Sequence, residues 1–292
     1  MAQERDKLRG PRWLYWRHRV QLAALVLMNS YFFSWAKGFC VPALNCWSCP
    51  GAIFGCPIGA LEYSAAGAPA GLRGGMPWYA VLPIYTLGIL VVFAAIFGRM
   101  MCGWICPFGW LQDRLSALGL NRKFHIPRVL GYLRYVVLVV LVFIVPYYTG
   151  VAWFSKLCPQ GALQGGLLVP LVDESIRSAI GTWWFVKQGI LVGFLVLMLL
   201  FKRPFCATVC PLGAIFSLFH RYSLWRIDYD EDKCVDCMWC VEACPADIDP
   251  RREVNSHACI GCLECQKCPY GAIQSRPIWA PEPGDEPPGD DQ

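Results

Sequence analysis

The stretch FGRMMCGWICPFGWLQD, residues 97–113, decides the fold because a second copy, FKRPFCATVCPLGAIFSL, begins at residue 201. The offset is 104 residues at every matched position, and the matched pairs are Phe97/Phe201, Arg99/Arg203, Cys102/Cys206, Cys106/Cys210, Pro107/Pro211 and Gly109/Gly213. A looser echo pairs CPIGAL at 56–61 with CPQGAL at 158–163. Chance does not produce this register twice, so the sequence predicts two duplicated halves, at about 40–113 and 142–217.

The composition is that of a membrane protein. The 292 residues are 56% hydrophobic and 16% charged, and 13 of them are Trp, which is too apolar for an ordinary soluble domain. Four runs of about 20 residues could each cross a hydrocarbon core roughly 30 Å thick; they cover 20–39, 79–98, 129–149 and 183–201. We predict an all-α membrane domain of four transmembrane helices at 20–222, with the first run retained as an anchor because it lacks a cleavage site.

Basic residues orient the predicted spans. Six Arg or Lys precede the first run and five lie between the second and third, whereas the other two connections hold far fewer. The positive-inside rule therefore puts both termini, including a basic leader at 1–19, and the 99–128 segment in the cytoplasm. Residues 40–77 and 150–182 would face the opposite side, which is the periplasm if the host is a Gram-negative bacterium. The net charge of +5 then needs no nucleic-acid partner.

Eight of the 17 cysteines form two runs near the C-terminus, each ending in Cys-Pro. The runs are Cys234, Cys237, Cys240, Cys244 and Cys259, Cys262, Cys265, Cys268. The first has the spacing of bacterial ferredoxins, in which three thiolates hold one 4Fe–4S cluster and the fourth reaches the neighbouring cluster. On this crossed pattern Cys268 completes the first set and Cys244 completes the second.

We therefore predict two 4Fe–4S clusters in a cytoplasmic ferredoxin-like α+β module at 223–276. The second run is one residue shorter than the pattern, between Cys265 and Cys268, which leaves the position of Cys268 open. A structural zinc site is the alternative, because paired C-x2-C sequences also bind zinc.

The duplicated motif supplies four further thiols. Cys102 and Cys106 are four residues apart and would face the same way on a helical turn, and the proline after the second thiol redirects the chain. A pseudo-twofold axis along the membrane normal would bring both copies together, as parallel repeats do in transporters. We expect a third cluster on Cys102, Cys106, Cys206 and Cys210. Buried cysteines acting as small apolar side chains and a redox-active dithiol pair are the alternatives.

The predicted outer face carries the remaining thiols, which are Cys40, Cys46, Cys49, Cys56 and Cys158. Four groups of four would account for sixteen cysteines and leave only Cys40 spare, so we expect a fourth cluster on Cys46, Cys49, Cys56 and Cys158. An oxidising compartment favours disulfides instead, and Cys46–Cys49 or Cys40–Cys56 could form them.

These motifs resemble the NapH/MauN family of membrane ferredoxin-type proteins over about residues 12–276. The resemblance is carried by the two C-x3-C-P sequences on a four-span core and by the ferredoxin runs, and it extends to modules of NosR-type proteins and CcoG-type cupric reductases. It implies a bacterial inner-membrane protein that moves electrons between membrane quinone and another redox protein through iron–sulfur centres. The outer thiols are absent from many members of that family, which suggests an additional route to the outer face.

Quinol oxidation needs an apolar slot and a proton acceptor near the membrane boundary. Trp47, Trp78 and Tyr79 could form such a slot on the outer side with Glu62 as the acceptor. On the inner side the candidates are Trp104, Trp110 and Asp113. The alternative is that the aromatic residues form an interfacial belt, as Trp and Tyr do in many membrane proteins, and that the carboxylates are solvated.

The sequence therefore predicts a quinol dehydrogenase subunit of a respiratory complex, with iron–sulfur, cytochrome or flavin subunits as partners. Any flavin would belong to a partner, because the chain has no nucleotide-binding fingerprint. Two other classes stay open: a copper or iron reductase that matures another metalloenzyme, and a non-redox scaffold holding zinc or disulfides. Residues 277–292, rich in Pro, Gly, Asp and Glu, are expected to form a disordered acidic tail.

Overall fold

A computed structural model describes residues 12–28, 40–46, 55–119, 124–168, 170, 174 and 180–280. The longer helices are Arg17–Met28, Pro57–Arg73, Ile84–Phe97, Pro107–Leu118, Thr182–Leu200 and Pro211–His220, together with a continuous helical segment over Arg128–Thr149. Short helices cover Trp78–Val81, Met100–Trp104, Trp153–Leu157, Pro159–Gly161, Pro204–Thr208, Trp239–Ala243 and Pro250–Glu253. Most of the disordered tail predicted at 277–292 lies outside the described residues.

Two helices are long and apolar enough to cross a membrane, namely Arg128–Thr149 and Thr182–Leu200. They coincide with the predicted spans at 129–149 and 183–201. Only 28% and 11% of their most apolar windows are buried, so both present apolar side chains outward, as lipid-facing helices do. The first of them contains a π-helical segment at Leu138–Ile144, an irregularity that is frequent at functional sites.

The other two predicted spans differ from expectation. The helix in the 79–98 run begins only at Ile84 and has 14 residues, because Pro83 lacks the N–H that a continuous helix would need. A separate turn, Trp78–Val81, precedes it. In the 20–39 run the structure shows the helix Arg17–Met28, and residues 29–39 lie outside the described part. The prediction of four spans is therefore supported directly for two of them.

Four Cys-Pro-x-Gly sequences begin helices in the same way. They are CPIG at 56–59, CPFG at 106–109, CPQG at 158–161 and CPLG at 210–213. Each Cys stands just before the helix with an extended backbone, φ between −71° and −64° and ψ between 111° and 125°. Each Pro occupies the first helical position, where its missing N–H costs nothing. The echo at 56 and 158 is thus the same local structure as the main repeat.

Aromatic packing joins the two halves in one core. The rings of Phe108 and Phe205 meet edge-on with centroids 5.1 Å apart, and Phe194 packs against Phe205 at 5.3 Å in the same manner. Phe108 and Phe205 are both completely or almost completely buried. Each half therefore contributes the residues that follow or precede its thiols to a shared interior.

A two-stranded sheet closes the C-terminal module. Strand β1, Trp225–Tyr229, pairs antiparallel with strand β2, Ile273–Pro277, so that Trp225 lies opposite Pro277 and Tyr229 opposite Ile273. Both cysteine runs lie between these strands, with a 3-10 turn at Glu264–Lys267. The sheet thus brings together the two ends of the segment predicted at 223–276.

Candidate metal centres

The structure gathers the four thiols of the duplicated motif. Each of Cys102, Cys106, Cys206 and Cys210 interacts electrostatically with the other three, and all four are buried. The amide of Gln112 donates to Cys206 Sγ at 2.9 Å, and the backbone N–H of Gly213 donates to Cys210 Sγ at 3.3 Å. The expected fourfold thiol group is therefore formed.

Burial makes these thiols difficult to ionise on their own. Desolvation raises the pKa of Cys106 to about 12, and the neighbouring Cys206 and Cys102 add to the rise. Desolvation also raises the pKa of Cys210 well above its usual value. Thiolates in such a place need a nearby cation, and cysteines that bind metal are deprotonated by the metal itself. This donor set fits an iron–sulfur cluster.

Two arginines cross between the repeats. Arg99 Nη2 donates to the backbone oxygen of Cys206 at 3.4 Å. Its counterpart Arg203 donates from Nη1 to the backbone oxygen of Cys102 at 3.1 Å. Each arginine therefore holds the first thiol-bearing residue of the other copy, which is the reciprocal arrangement expected of a pseudo-twofold pair.

The two arginines differ in their charge partners. Arg203 forms a two-pronged ion pair with Asp113, with both N–O distances 2.6 Å, and Arg17 contacts the same carboxylate at 3.0 Å. Arg99 is 1% exposed and donates to the backbone oxygens of His257 and Ala258. Its Nε has no hydrogen-bond partner in the described part of the chain. A buried charge of this kind needs a compensating anion, and an anionic cluster on the adjacent thiols fits that need.

The ferredoxin runs adopt the crossed arrangement. Cys244, from the first run, interacts electrostatically with Cys259, Cys262 and Cys265 of the second. These four thiols line one cavity with apolar side chains that include Ile248 and Leu263. The donor set and its apolar surroundings fit a cluster shielded from water.

Cys268 lies near the first run despite the shortened spacing. It interacts electrostatically with Cys240, as the crossed pattern requires. Cys237 is exposed and Cys234 is half-buried. The first thiol set of the module is therefore the one nearer to solvent, and the second set faces the membrane domain.

A glycine contact joins the duplicated motif to the ferredoxin module. A Cβ atom on Gly103 would lie 2.9 Å from Cys262 Cα and 3.0 Å from the backbone oxygen of Ile260. Only a residue without a side chain permits this approach. Gly103 directly follows Cys102, so the backbone contact between Gly103 and Cys262 brings cysteines of two different thiol sets close together.

The outer thiols also converge in part. Cys46, Cys56 and Cys158 line one cavity together with Lys187, and Cys49 lies outside the described residues, as does Trp47. Desolvation raises the pKa of Cys158 to about 12 and that of Cys56 to about 11. Within the described residues, no disulfide joins Cys40 to Cys56.

Lys187 was not identified as a site residue from the sequence. Its Nζ lies 3.2 Å from the place that a Cβ on Gly161 would take, beside Cys46 Sγ. A lone lysine one turn inside an apolar run is the signal that could have indicated it, because ionisable residues in such runs are frequently functional.

A short strip connects the outer and inner thiols. The backbone N–H of Leu44 hydrogen-bonds to the Cys106 thiol, whereas Cys46, two residues later, lines the outer cavity. Leu44 and Cys46 are two residues apart, a span of at most about 7 Å, so the two thiol groups are not separated by a hydrocarbon core of roughly 30 Å. The structure therefore does not support their prediction at opposite faces of the membrane.

The two candidate proton acceptors are buried in hydrogen-bond networks. Glu62 accepts from the backbone N–H groups of Phe154, at 2.5 Å, and Ser155, at 3.0 Å, and from the Ser155 hydroxyl at 2.5 Å. Desolvation raises the pKa of Glu62, and these hydrogen bonds oppose the rise. Burial alone would raise the pKa of Asp113 as well, but Arg203 and Arg17 hold it below its usual value. Both carboxylates position neighbouring segments, and the alternative that they are solvated is wrong.

Among the residues that the structure describes, the aromatic candidates do not gather into the predicted slots. Trp78 and Tyr79 are 69% and 56% exposed and meet edge-on, which suits a membrane-interface belt. Trp110 lies under the guanidinium of Arg114 at 5.9 Å. Trp104 packs with the core of the ferredoxin module.

Comparison with known families supports iron–sulfur binding. A family model described as a 4Fe-4S binding domain matches residues 79–127, 131–171 and 183–227, and a second with the same description matches 227–248. The three matches of the first model each contain a helix of the membrane domain followed by one or more cysteines. The second match ends before the shortened cysteine run.

Three relatives illustrate the range of similar proteins. An uncharacterised protein of Methanocaldococcus jannaschii is 32% identical, over 65% of this chain and 69% of its own. The ferredoxin-type protein NapH of Haemophilus influenzae is 29% identical over 87% of this chain and 85% of its own. The regulatory protein NosR of Stutzerimonas stutzeri is 29% identical over 70% of this chain, which is 28% of NosR. No solved structure matches the chain.

Proposed function

The chain belongs to the NapH-type family of membrane ferredoxins, and from this membership we propose that it transfers electrons between membrane quinol and a partner redox protein. The observation that carries the proposal is the Gly103 contact, which brings the shared thiol group against the ferredoxin module. A chain of neighbouring thiol sets is the arrangement that an electron relay needs. The partner would be an iron–sulfur, cytochrome or flavin subunit of the same respiratory complex.

Four thiol sets would hold the clusters. The sets are Cys234/Cys237/Cys240/Cys268, Cys244/Cys259/Cys262/Cys265, Cys102/Cys106/Cys206/Cys210 and Cys46/Cys49/Cys56/Cys158. When bound, 4Fe–4S clusters supply one-electron transfer, with potentials set by charge, hydrogen bonds and burial. The first two sets are supported by the crossed proximities and the third by the mutual proximity of its four thiols. The fourth is supported by the three thiols that share a cavity.

The surrounding residues would insulate and tune these sets. Buried apolar side chains such as Phe108 and Leu263 exclude water from the thiols. Arg99 brings a positive charge to the shared set, and Lys187 brings one to the outer set. Charges of this kind stabilise the more negative, reduced form of a nearby centre. The more exposed position of Cys234 and Cys237 favours that end of the module for contact with a cytoplasmic partner.

The membrane topology is part of the same proposal. Two outward-facing apolar helices support insertion in a membrane, and the distribution of Arg and Lys favours a multi-pass bacterial inner-membrane protein with both termini in the cytoplasm. The strip at 44–46 would then hold the cavity of Cys46, Cys56 and Cys158 close to the shared thiols and not a membrane thickness away from them.

Anaerobic spectroscopy tests the proposed function. The purified full chain, with clusters oxidised, is mixed with a short-chain quinol, and the visible iron–sulfur absorbance is followed. We expect bleaching by the quinol, or recovery of absorbance when reduced protein meets the corresponding quinone. Dithionite serves as the control that the clusters can be reduced. If dithionite bleaches the protein while neither quinol nor quinone changes it, the proposed exchange with quinone is wrong.

The position of Cys40 supports a second candidate function, which is metal reduction. Cys40 lies outside the four thiol sets but close enough to Cys56 to interact with it electrostatically, so the outer region has a thiol available for a transient metal. A copper or iron reductase that matures another metalloenzyme would use such a thiol. That function predicts reduction of Cu(II) by the dithionite-reduced chain without quinone, and loss of this reaction in Cys40→Ser.

A further inference from the structure

A cavity lies where three segments distant in sequence meet. The helix Arg128–Thr149 contributes Tyr132, Tyr135 and Val136, the helix Pro211–His220 contributes Ser217, and the ferredoxin module contributes His257. We propose that this cavity binds the quinol ring. The inference rests on the proposed function, and it assigns the substrate to a place that the sequence motifs do not mark.

The mouth of the cavity is lined by exposed apolar side chains and by two exposed arginines, Arg221 and Arg226. Val136 is 54% exposed and Leu218 is 57% exposed, and Tyr222 stands beside them. They lie near the cytoplasmic end of the helix Arg128–Thr149, whose outward side chains are otherwise apolar. A ligand with a polar ring and a long hydrocarbon tail could therefore enter from the bilayer with its tail remaining in lipid.

The polar end offers a hydrogen-bond acceptor to a ring hydroxyl. Ser217 Oγ donates to the backbone oxygen of Ala214 at 2.7 Å, so the 2.7 Å contact between Tyr135 Oη and Ser217 Oγ is donated by the tyrosine. Arg134 Nη2 donates to Tyr135 Oη at 3.4 Å. The Arg134 contact is longer than the usual distance of about 2.9–3.0 Å, so the phenol oxygen of Tyr135, which can both donate and accept, is left as an acceptor for a quinol hydroxyl.

Aromatic rings provide the walls. The rings of Tyr132 and His257 lie 5.7 Å apart and are tilted by 36°, and Tyr132 and Tyr135 lie 6.3 Å apart at 38°. Planar side chains at such angles suit offset contact with a flat ring. The walls and the acceptor therefore match both chemical features of a quinol headgroup.

The cavity lies beside two proposed cluster sites. His257 comes two residues before Cys259, and its backbone oxygen accepts from Arg99 at 2.6 Å and from Arg134 at 2.8 Å. Ser217 stands on the helix that begins after Cys210. Oxidation of the quinol would break its two O–H bonds and release two protons to water at the exposed rim. Its two electrons would need one-electron acceptors, which oxidised iron–sulfur clusters held by the shared set and by the Cys259 set would supply.

Direct binding of a quinol analogue tests the location. The full chain with its clusters, in detergent, is titrated with the fluorescent analogue 2-heptyl-4-hydroxyquinoline N-oxide, and quenching gives the dissociation constant. We expect Tyr135→Phe to bind about tenfold more weakly, because it removes the acceptor. Tyr148→Phe, at the other end of the same helix, is the matched control and should bind as the wild type does.

A second variant guards against a folding defect. Val136→Trp fills the mouth at an exposed position and should also weaken binding about tenfold, whereas Val139→Trp should not. Unchanged affinity in both Tyr135→Phe and Val136→Trp would overturn the location while leaving the proposed function standing. A wild type that exchanges electrons with quinol, yet is labelled by an azidoquinone outside residues 128–137, 217–226 and 254–257, would overturn it as well. A wild type that neither binds the analogue nor reacts with quinol would refute the proposed function itself.

Discussion

Arg99 and Arg203 occupy equivalent positions in the two repeats, yet only Arg203 is paired with a carboxylate in the described part of the chain. Both reach across to the other copy's backbone, at Cys206 and Cys102. Asp113 neutralises Arg203, whereas the position 104 residues after Asp113 is Ser217. The repeat is therefore symmetric in its hydrogen bonds and asymmetric in its charge.

We predict that Arg99→Gln lowers the reduction potential of the cluster on the shared thiols. Removing one buried positive charge that hydrogen-bonds to the Cys102 thiol costs the reduced form on the order of 2 kcal/mol at an effective dielectric constant of about 20, or roughly 90 mV. Redox titration followed by electron paramagnetic resonance measures the shift. Arg114→Gln, an exposed charge on a nearby helix, is the control and should shift the potential little. An unchanged potential in Arg99→Gln would mean that the cation has another counterion.

Asp113→Asn should destabilise the protein because it leaves the buried Arg203 guanidinium without its carboxylate and leaves Arg17 with Glu264 alone. The expected loss is about 3–5 kcal/mol, measured by thermal unfolding in detergent. Glu253→Gln breaks the pair with the exposed Arg128 and should cost at most about 1 kcal/mol.

The pH dependence of this loss follows from the lowered pKa of Asp113. Its stabilising contribution is complete above the unfolded pKa of about 4 and is lost only as the pH falls through the lower folded pKa. The cost of Asp113→Asn should therefore be equal at pH 6 and pH 8. A cost that differs between these two values would show that Asp113 titrates in the neutral range.

Gly103→Ala should loosen the contact between the membrane domain and the ferredoxin module. The new methyl group would press on the backbone of Cys262 and Ile260, with a cost of about 1–3 kcal/mol. Hydrogen exchange over residues 257–265 should become faster. Gly193→Ala, which meets no atom within 4 Å, should leave the exchange unchanged, and equal exchange in both variants would argue against the contact.

Glu62→Gln separates a positioning role from proton transfer. If Glu62 anchors the helix Trp153–Leu157, as its three hydrogen bonds indicate, hydrogen exchange there should rise and the outer thiols should hold less iron. Glu174→Gln, an exposed change on the same predicted face, should do neither. A variant that keeps its iron and its protection but reacts slowly with quinol would instead support the original assignment as a proton acceptor.

Much of the thiol arrangement could be predicted because it depends on spacing along the chain. The C-x2-C intervals predict the crossed ferredoxin pattern, and the exact repeat predicts the grouping of Cys102 with Cys206. The late start of the helix in the second apolar run also has a signal in the sequence, since Pro83 lies within that run and has no N–H to donate to a helical hydrogen bond.

The remaining features depend on contacts between distant segments. The crossing of Arg99 and Arg203, the Leu44 hydrogen bond to Cys106 and the Gly103 contact join residues whose proximity has no local signature. The same holds for the cavity beside Tyr135, which three separate segments form. The sequence instead suggested Trp and acidic residues for the quinol slot. The structure places the two acidic candidates, Glu62 and Asp113, in buried hydrogen-bond networks.

Iron and acid-labile sulfide per chain test the central claim, which is that the two repeats share one cluster. The wild type, purified anaerobically, should contain about sixteen irons, and Cys102→Ser combined with Cys206→Ser should contain about twelve. Cys40→Ser, outside the four thiol sets, should keep the wild-type value. A double variant that loses no iron, or a wild type with only about eight irons, would contradict the shared cluster.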